Sequence, residues 1–342
     1  MARQPAELAI DLGSSTTRIA IRGRGVVLEE PTVVATELGV RGREVVAVGS
    51  EAREMIGRTP AGITVVRPVR QGVVADFEAT ERLLERLLAR VVGRSLVKPR
   101  VLVCIPAETT EVQRRAVQEA TRAAGAREVS LIPGVMAAAI GAELPVSRPV
   151  GSLVVDTGGG RTEAGVISLG GLVVRRSAAV GGDDADEAIA AWAGDRFGVT
   201  IGERTAEAIK QRIGAAISEA GEERGRPMQM RVRGRDKATG TPREIDLTAH
   251  DIASALTAVV AVVRQVVLDT LRETPPELAA DIVDRGLILC GGGAALRGLD
   301  VLLRTDTGLP VLRAEDAPRC AARGAGLVLD DRALFERVVG QG

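Results

Sequence analysis

The 342 residues exceed what one hydrophobic core ordinarily organises and suit about two domains. Lysine plus arginine equals aspartate plus glutamate at 45 each, so the chain lacks the basic surplus that a nucleic-acid partner requires. With 45% hydrophobic but only 1% aromatic residues, a soluble globular protein with a core of Val, Leu, Ile and Ala is expected, and no apolar run reads as long enough to span a bilayer.

The first residues, Met1 to Glu7, lack the apolar stretch of a signal peptide. Cys104, Cys290 and Cys320 stand far apart in apolar runs, as buried thiols of a reducing compartment do. A cytoplasmic protein is expected. Residues 8–21 then read strand, tight turn, strand, with Asp11 at the end of the first strand and Gly13, Ser14, Ser15 and Thr16 in the turn. The pattern returns over 153–166 with Asp156, Gly158, Gly159, Gly160 and Arg161. Asp, Gly and Thr recur at one offset (156 − 11 = 158 − 13 = 162 − 17 = 145). Successive N–H groups in such a turn form a concave anion site, and Ser and Thr add hydroxyl donors. A carboxylate beside phosphate can hold Mg²⁺ through water, which assigns that role to Asp11 and Asp156. One Asp-x-Gly turn is ordinary hairpin chemistry. Two in register, each opening a half of the chain, point to a shared phosphate site.

Between the hairpins, 31–35 and 44–48 read as strands, and Ser50 reads as the cap of a short helix ended by Gly57. Leu83, Leu84, Leu87 and Leu88 predict a helix over 77–92. The apolar run 101–105 predicts a strand buried on both faces, and Thr110 with Gln113 a capping box. Beyond the second hairpin, helices are expected over 183–192 and from 203 to about 220, then a loop-like stretch at 218–227. A polar hairpin over 231–247 and a long helix capped by Thr248 follow. A buried strand at 286–290 runs into Gly291, Gly292 and Gly293, at the strand end where open α/β sheets bind ligands. Bare backbone there suits a flat group such as adenine. Glu203, Glu207 and Lys210 share one helical face, either as a solvated surface or as a further wall of the site. The chain has three lysines, so 45 − 3 = 42 of its basic residues are arginine, and a lysine kept at 210 points to a need for a compact ammonium.

With these pieces in place, the chain resembles the actin/heat-shock chaperone/sugar kinase superfamily and, nearly end to end, the MreB/Mbl family of bacterial actins. The carrying stretches include 25–31, 47–60, 67–77, 136–141, 168–171, 201–207 and 274–281. The resemblance implies an α/β actin-like fold: two similar halves, each with a ribonuclease-H-like sheet, and four subdomains around a nucleotide cleft holding ATP and Mg²⁺. It divides the chain into subdomain IA (1–31, 67–146, 314–342), IB (32–66), IIA (147–181, 248–313) and IIB (182–247). The family's nucleotide residues map onto Asp11, Gly13 to Thr16, Asp156, Gly158 to Gly160, Glu203, Glu207, Lys210 and Gly291 to Gly293, with Arg161 added at a departure from the pattern. It also implies polymerisation into paired protofilaments at the inner membrane, where they organise cell-wall synthesis and cell shape, alongside the cell-wall elongation machinery. A small-molecule kinase of the same superfamily, or a monomeric nucleotide switch, is the alternative. Membrane contact in the family implies an N-terminal amphipathic helix or an apolar loop. With Pro5 early and no amphipathic pattern, the loop at 94–98 is the candidate, with Leu96 and Val97 inserting between Arg94 and Lys98.

The chain departs from the family at two places. Where a Glu is held to orient the attacking water, this chain has Gly134 within Pro133-Gly134-Val135; where a Thr follows the three glycines, it has Arg161. Slow hydrolysis is expected, since positioning the nucleophile is much of what a phosphoryl-transfer site does. A stable scaffold, or a partner subunit to a hydrolysing paralogue, would suit such a protein. Arg161 is expected to act on the phosphates as a cation, preferably by sensing the γ-phosphate. Otherwise it faces solvent, and Glu108 or Glu163 stands in for the missing carboxylate.

Overall fold

A computed structural model describes residues 5–39, 42–93, 97–223 and 225–339. The chain opens with a meander of β1 (Glu7–Leu12), β2 (Thr16–Ile21) and β3 (Gly25–Pro31). A small sheet follows, with β4 (Val34–Gly39) between β5 (Gly42–Val48) and β6 (Ile63–Val66), and α1 (Ser50–Glu54) in the connection. The expected strand at 31–35 is thus divided between β3 and β4. Ser50 is the first residue of α1 and not its cap: its N–H and hydroxyl both donate to Glu30 Oε2, at 2.7 and 2.8 Å.

The short hairpin of β7 (Val69–Arg70) and β8 (Val73–Val74) leads to α2 (Phe77–Val92), whose first turn is capped by the Asp76 carboxylate on the Ala79 N–H. Leu83, Leu84, Leu87 and Leu88 recur at helical spacing and are buried, as their periodicity predicts. Next come β9 (Arg100–Ile105), α3 (Glu111–Ala123) with the Thr110–Gln113 capping box formed, β10 (Glu128–Pro133) and α4 (Gly134–Gly141). β9 pairs in parallel with β1 and with β10, so the first sheet runs β3-β2-β1-β9-β10. Every residue of β9 after Arg100 is buried, which explains its unbroken apolar run.

The second half repeats this plan. A meander of β11 (Ser152–Thr157), β12 (Thr162–Ser168) and β13 (Gly171–Ala178) is followed by α5 (Gly182–Phe197), β14 (Val199–Thr200) and α6 (Glu203–Ile213). α5 is longer than expected and α6 shorter, because the chain turns extended at Gly214. The stretch expected to be loop-like holds a 3₁₀ turn at Ser218–Gly221 and a two-residue ladder of β15 (Glu222–Glu223) with β16 (Arg226–Pro227). Then come β17 (Gln229–Asp236), β18 (Pro242–Thr248), α7 (Ala249–Arg272), α8 (Pro276–Arg285), β19 (Leu287–Cys290), α9 (Leu299–Thr307) and β20 (Val311–Arg313). α10 (Cys320–Asp330) and α11 (Arg332–Val338) close the chain. The second sheet runs β13-β12-β11-β19-β20, with the same pattern of antiparallel and parallel neighbours as the first.

The registers match as well: Asp11 lies beside Cys104 on the parallel strand, and Asp156 beside Cys290. One core joins the halves, built on α4 and α10 between the two sheets and including Ala9, Leu102, Val154 and Ile167. These helices pack backbone to backbone. A Cβ on Gly141 would lie 1.9 Å from the Cys320 carbonyl oxygen, and one on Gly324 1.8 Å from that of Ala137, so only glycine permits the contact. α7 corrects one expectation: by length and composition it is apolar enough to cross a bilayer, the one such helix among the described residues. Its Val263, Val266 and Val267 are buried in the core of the second half with Val155 and Val166 of that sheet.

Candidate functional site

The two repeated turns face each other across a cavity of about 530 Å³ between the halves. Its wall includes Asp11 and Gly13 to Thr16 from the first half, and Asp156, Gly158, Gly159, Glu207, Lys210 and Gly291 to Gly293 from the second. The turns touch. A Cβ on Gly159 would sit 2.2 Å from Ser15 Oγ, so a side chain there would push the halves apart. Ser15 Oγ donates to Asp183 Oδ1 at 2.6 Å, and Ser14 Oγ accepts from the Gly72 N–H at 2.9 Å. Lys210 Nζ bonds the Gly182 carbonyl (2.6 Å) and Asp186 Oδ2 (2.9 Å), which fixes its ammonium at the wall. Burial holds Asp186 up at about 6 despite that ammonium.

The hairpins differ where it matters electrostatically. Opposite Asp11 on β2 is Arg18, whose guanidinium lies 3.5 Å from Asp11 Oδ2. Opposite Asp156 on β12 is Glu163, another acid. Burial raises Asp11 while Arg18 opposes the rise. Asp156 is pushed up to about 8 by burial and then by the carboxylates of Asp11 and Glu163. Glu163 is pushed up to about 7 by burial, against the Ala107 N–H and Arg161. Asp156 therefore ionises against two neighbouring acids, and a divalent cation beside Asp11 and Asp156 would relieve that conflict. Among the described residues, no group of three or more His, Cys, Asp or Glu is arranged to grip a metal ion directly. Two carboxylates from opposite halves fit a cation that keeps its waters.

Three expected residues lie off the cavity wall. Gly160 is packed behind it, where a Cβ would lie 2.6 Å from Ser14 Oγ. Arg161 points across the halves: Nε donates to the Gln71 carbonyl and Nη1 to Ser177 Oγ, both at 2.9 Å. Ser177 Oγ in turn donates to Glu108 Oε2 at 2.7 Å. These protein partners occupy the guanidinium, so the structure does not aim Arg161 at the cavity. Glu203 lines a second, smaller cleft and pairs with Arg67 of the other half. Glu207 reaches the cavity and also pairs with Arg53, so α6 is tied at two points one turn apart, to α1 and to the residue just after β6. Gly134 is buried at the start of α4, away from the cavity wall. Of the proposed membrane pair, Leu96 lies outside the described residues, and Val97 is partly exposed.

Sequence reasoning missed Arg18, Thr157, Gly181, Gly182, Gln211 and Pro318 at the wall. The run Gly181-Gly182-Asp183 opening α5 was a legible signal, being another glycine turn at a helix N-terminus. Arg18 and Thr157 lie within the two hairpins, opposite Asp11 and next to Asp156, and were legible there, whereas Gln211 and Pro318 are brought in by long-range packing.

The model of the family described as MreB/Mbl protein matches residues 5–337. The cell shape-determining protein MreB of Escherichia coli (strain K12) is 48% identical over 328 residues, covering 95% of this chain and 93% of that protein. The cell shape-determining protein Mbl of Bacillus subtilis (strain 168) is 42% identical over 326 residues, covering 95% and 96%. Among solved structures, MreB5 of Spiroplasma citri bound to AMPPNP superposes with a TM-score of 0.89 at 30% identity, covering 98% of both chains. A double helical filament of MamK superposes at 0.80, with 18% identity, covering 96% of this chain and 99% of that one, and supports the fold alone. The fold is therefore actin-like, and the chain belongs to the MreB/Mbl family.

Proposed function

We propose that this protein is a cytoplasmic bacterial actin that binds ATP with Mg²⁺ between its halves, polymerises, and organises cell-wall synthesis and cell shape at the inner membrane. The observation that carries this reading is the abutment of two glycine turns, one from each half, over a single cavity bearing Asp11 and Asp156. The MreB5 relative bound to AMPPNP and ADP supports a nucleotide in that cavity. In this reading the turn N–H groups and Ser14, Ser15 and Thr16 hold phosphates, and Gly291 to Gly293 receive the base or its sugar. Lys210 and Glu207 close the wall, and Asp11 and Asp156 hold Mg²⁺ through water. The four-subdomain division given above follows from the same reading, with closure about α4 and α10.

Paired protofilaments, the cell-wall elongation machinery and a hydrolysing paralogue are the partners it proposes, and lipid contact through Leu96 and Val97 belongs to the same proposal. Hydrolysis is slow in this reading, because Gly134 and Arg161 bring neither a carboxylate nor a hydroxyl to the water. Titration with ATP and Mg²⁺, followed by sedimentation, tests the reading. Micromolar binding and nucleotide-dependent pelleting are expected, and a chain that binds no nucleotide contradicts it. Flotation with anionic liposomes, compared with a Leu96→Ser, Val97→Ser variant, tests the membrane part.

A further inference from the structure

Glu163 is one of the most deeply buried acids, 7% exposed, and is not on the cavity wall. Its Oε1 accepts from the Ala107 N–H at 2.8 Å, and among the described residues no donor meets Oε2. That second oxygen faces Gly134. A Cβ built on Gly134 would lie 3.7 Å from Glu163 Oε2 and 3.6 Å from the Ile105 carbonyl oxygen, with nothing else near it outside its own helix and chain neighbours. The space a side chain would fill is thus bounded by two acceptor oxygens. Water suits such a place: it can donate one proton to each oxygen and turn its lone pair outward. Glu163 also stands cross-strand from Asp156, one residue pair inside the glycine turn that leads into β12.

We propose that Glu163 and the Ile105 carbonyl seat the water that attacks ATP in the space left by Gly134, with Glu163 as its proton acceptor. The inference rests on the reading of the cavity as an ATP site. The water oxygen bonds to the γ-phosphorus as the bond from that phosphorus to the ADP oxygen breaks. The water's proton passes to Glu163 Oε2 and then to the released phosphate, leaving ADP and inorganic phosphate. The absent side chain at 134 makes the seat, so residual turnover depends on the glycine as much as on the acid. One carboxylate from the neighbouring strand replaces a dedicated pair of groups, which accords with slow hydrolysis.

Two variants test this on the full-length protein. Glu163→Gln keeps the Ala107 contact through its amide oxygen and loses the proton acceptor. Gly134→Ala puts a methyl group in the seat at ordinary contact distances. Each is expected to slow phosphate release by about 100-fold, the usual worth of a general base, and to weaken binding of ADP–aluminium fluoride, while the ATP Kd stays near the wild-type value. The double variant is expected to be no slower than either single one, because both remove the same water. Unchanged phosphate release and analogue affinity with ATP bound normally, or fully additive losses, would overturn the seat. A wild type that binds no ATP would overturn the cavity reading and the seat with it.

Discussion

Arg161 Nε donates to the Gln71 carbonyl at 2.9 Å, so the residue following the second glycine turn is anchored in the opposite half of the molecule. The same guanidinium holds Ser177, which holds Glu108, and the network crosses between the halves twice. Arg161 is therefore a strut beside the nucleotide cleft, in place of the phosphate-sensing cation expected from the sequence. We expect Arg161→Thr to speed release of a fluorescent ADP several-fold through easier opening. Equilibrium ATP affinity should change less than the tenfold or more lost with a direct charged phosphate contact. A chase experiment beside an equilibrium titration checks this, and a large loss of affinity with unchanged release would return Arg161 to the phosphates.

The acids around Asp156 give the nucleotide-free protein a pH dependence of definite sign. Asp156 and Glu163 have pKa values of about 8 and about 7, above those of unfolded carboxylates, so the folded state binds more protons. Stability from this source is complete at acid pH and is lost as pH rises through those values. Thermal unfolding without nucleotide or Mg²⁺ should show Tm falling from pH 6 to pH 9, less steeply in Asp156→Asn. Saturating Mg²⁺-ATP should flatten the slope, since the cation favours the ionised acids. A nucleotide-free Tm that rises over that range would contradict the assignment.

Turnover provides a separate check on the two departures from the family pattern. The Gly134→Glu, Arg161→Thr double variant fills the space beside Glu163 and so removes that seat, but in exchange it gives the site a carboxylate on α4 and a hydroxyl after the glycines, the pair that orients water in the family pattern. It is expected to release phosphate faster than the wild type by on the order of tenfold to 100-fold during assembly. Wild-type turnover at or above that of the variant would remove the claim of slow hydrolysis.

The ion pairs from α6 to Arg53 on α1 and to Arg67 just after β6 predict an effect of salt. Arg53 with Glu207 and Arg67 with Glu203 link the lobes above the cavity, yet they are partly exposed, and such pairs are typically worth no more than about 1 kcal/mol each. Nucleotide release should quicken with ionic strength, by less than about tenfold, because screening weakens exposed pairs. An Arg53→Ala, Arg67→Ala variant should release quickly at low salt and respond little to added salt. Equal salt slopes in the two proteins would show that the pairs do not gate release.

What the sequence made legible was local or repeated. The offset of 145 between the hairpins exposed both Asp residues, and the Thr110 capping box needed only four consecutive residues. The end of α6 at Ile213 was misjudged because apolar residues continue past Gly214, and only packing reveals that they leave the helix. The directions of Arg161 and Glu203 were illegible for a different reason. Their partners, Gln71 and Arg67, lie 90 and 136 positions away in the chain and belong to the other half. The apposition of Glu163 and Gly134 was unreadable likewise, since it joins β12 to the start of α4.

In the proposed function a nucleotide held between Asp11 and Asp156 draws the halves together, and the closed form assembles. Closure of this kind draws its free energy from tighter binding to one of two states. The direct measurement is sedimentation of wild type and Asp156→Ala with and without Mg²⁺-ATP, with folding of both checked by circular dichroism. ATP-dependent pelleting of the wild type and none of the folded variant is expected. Pelleting of folded Asp156→Ala to the same extent, with the same dependence on ATP, would contradict it.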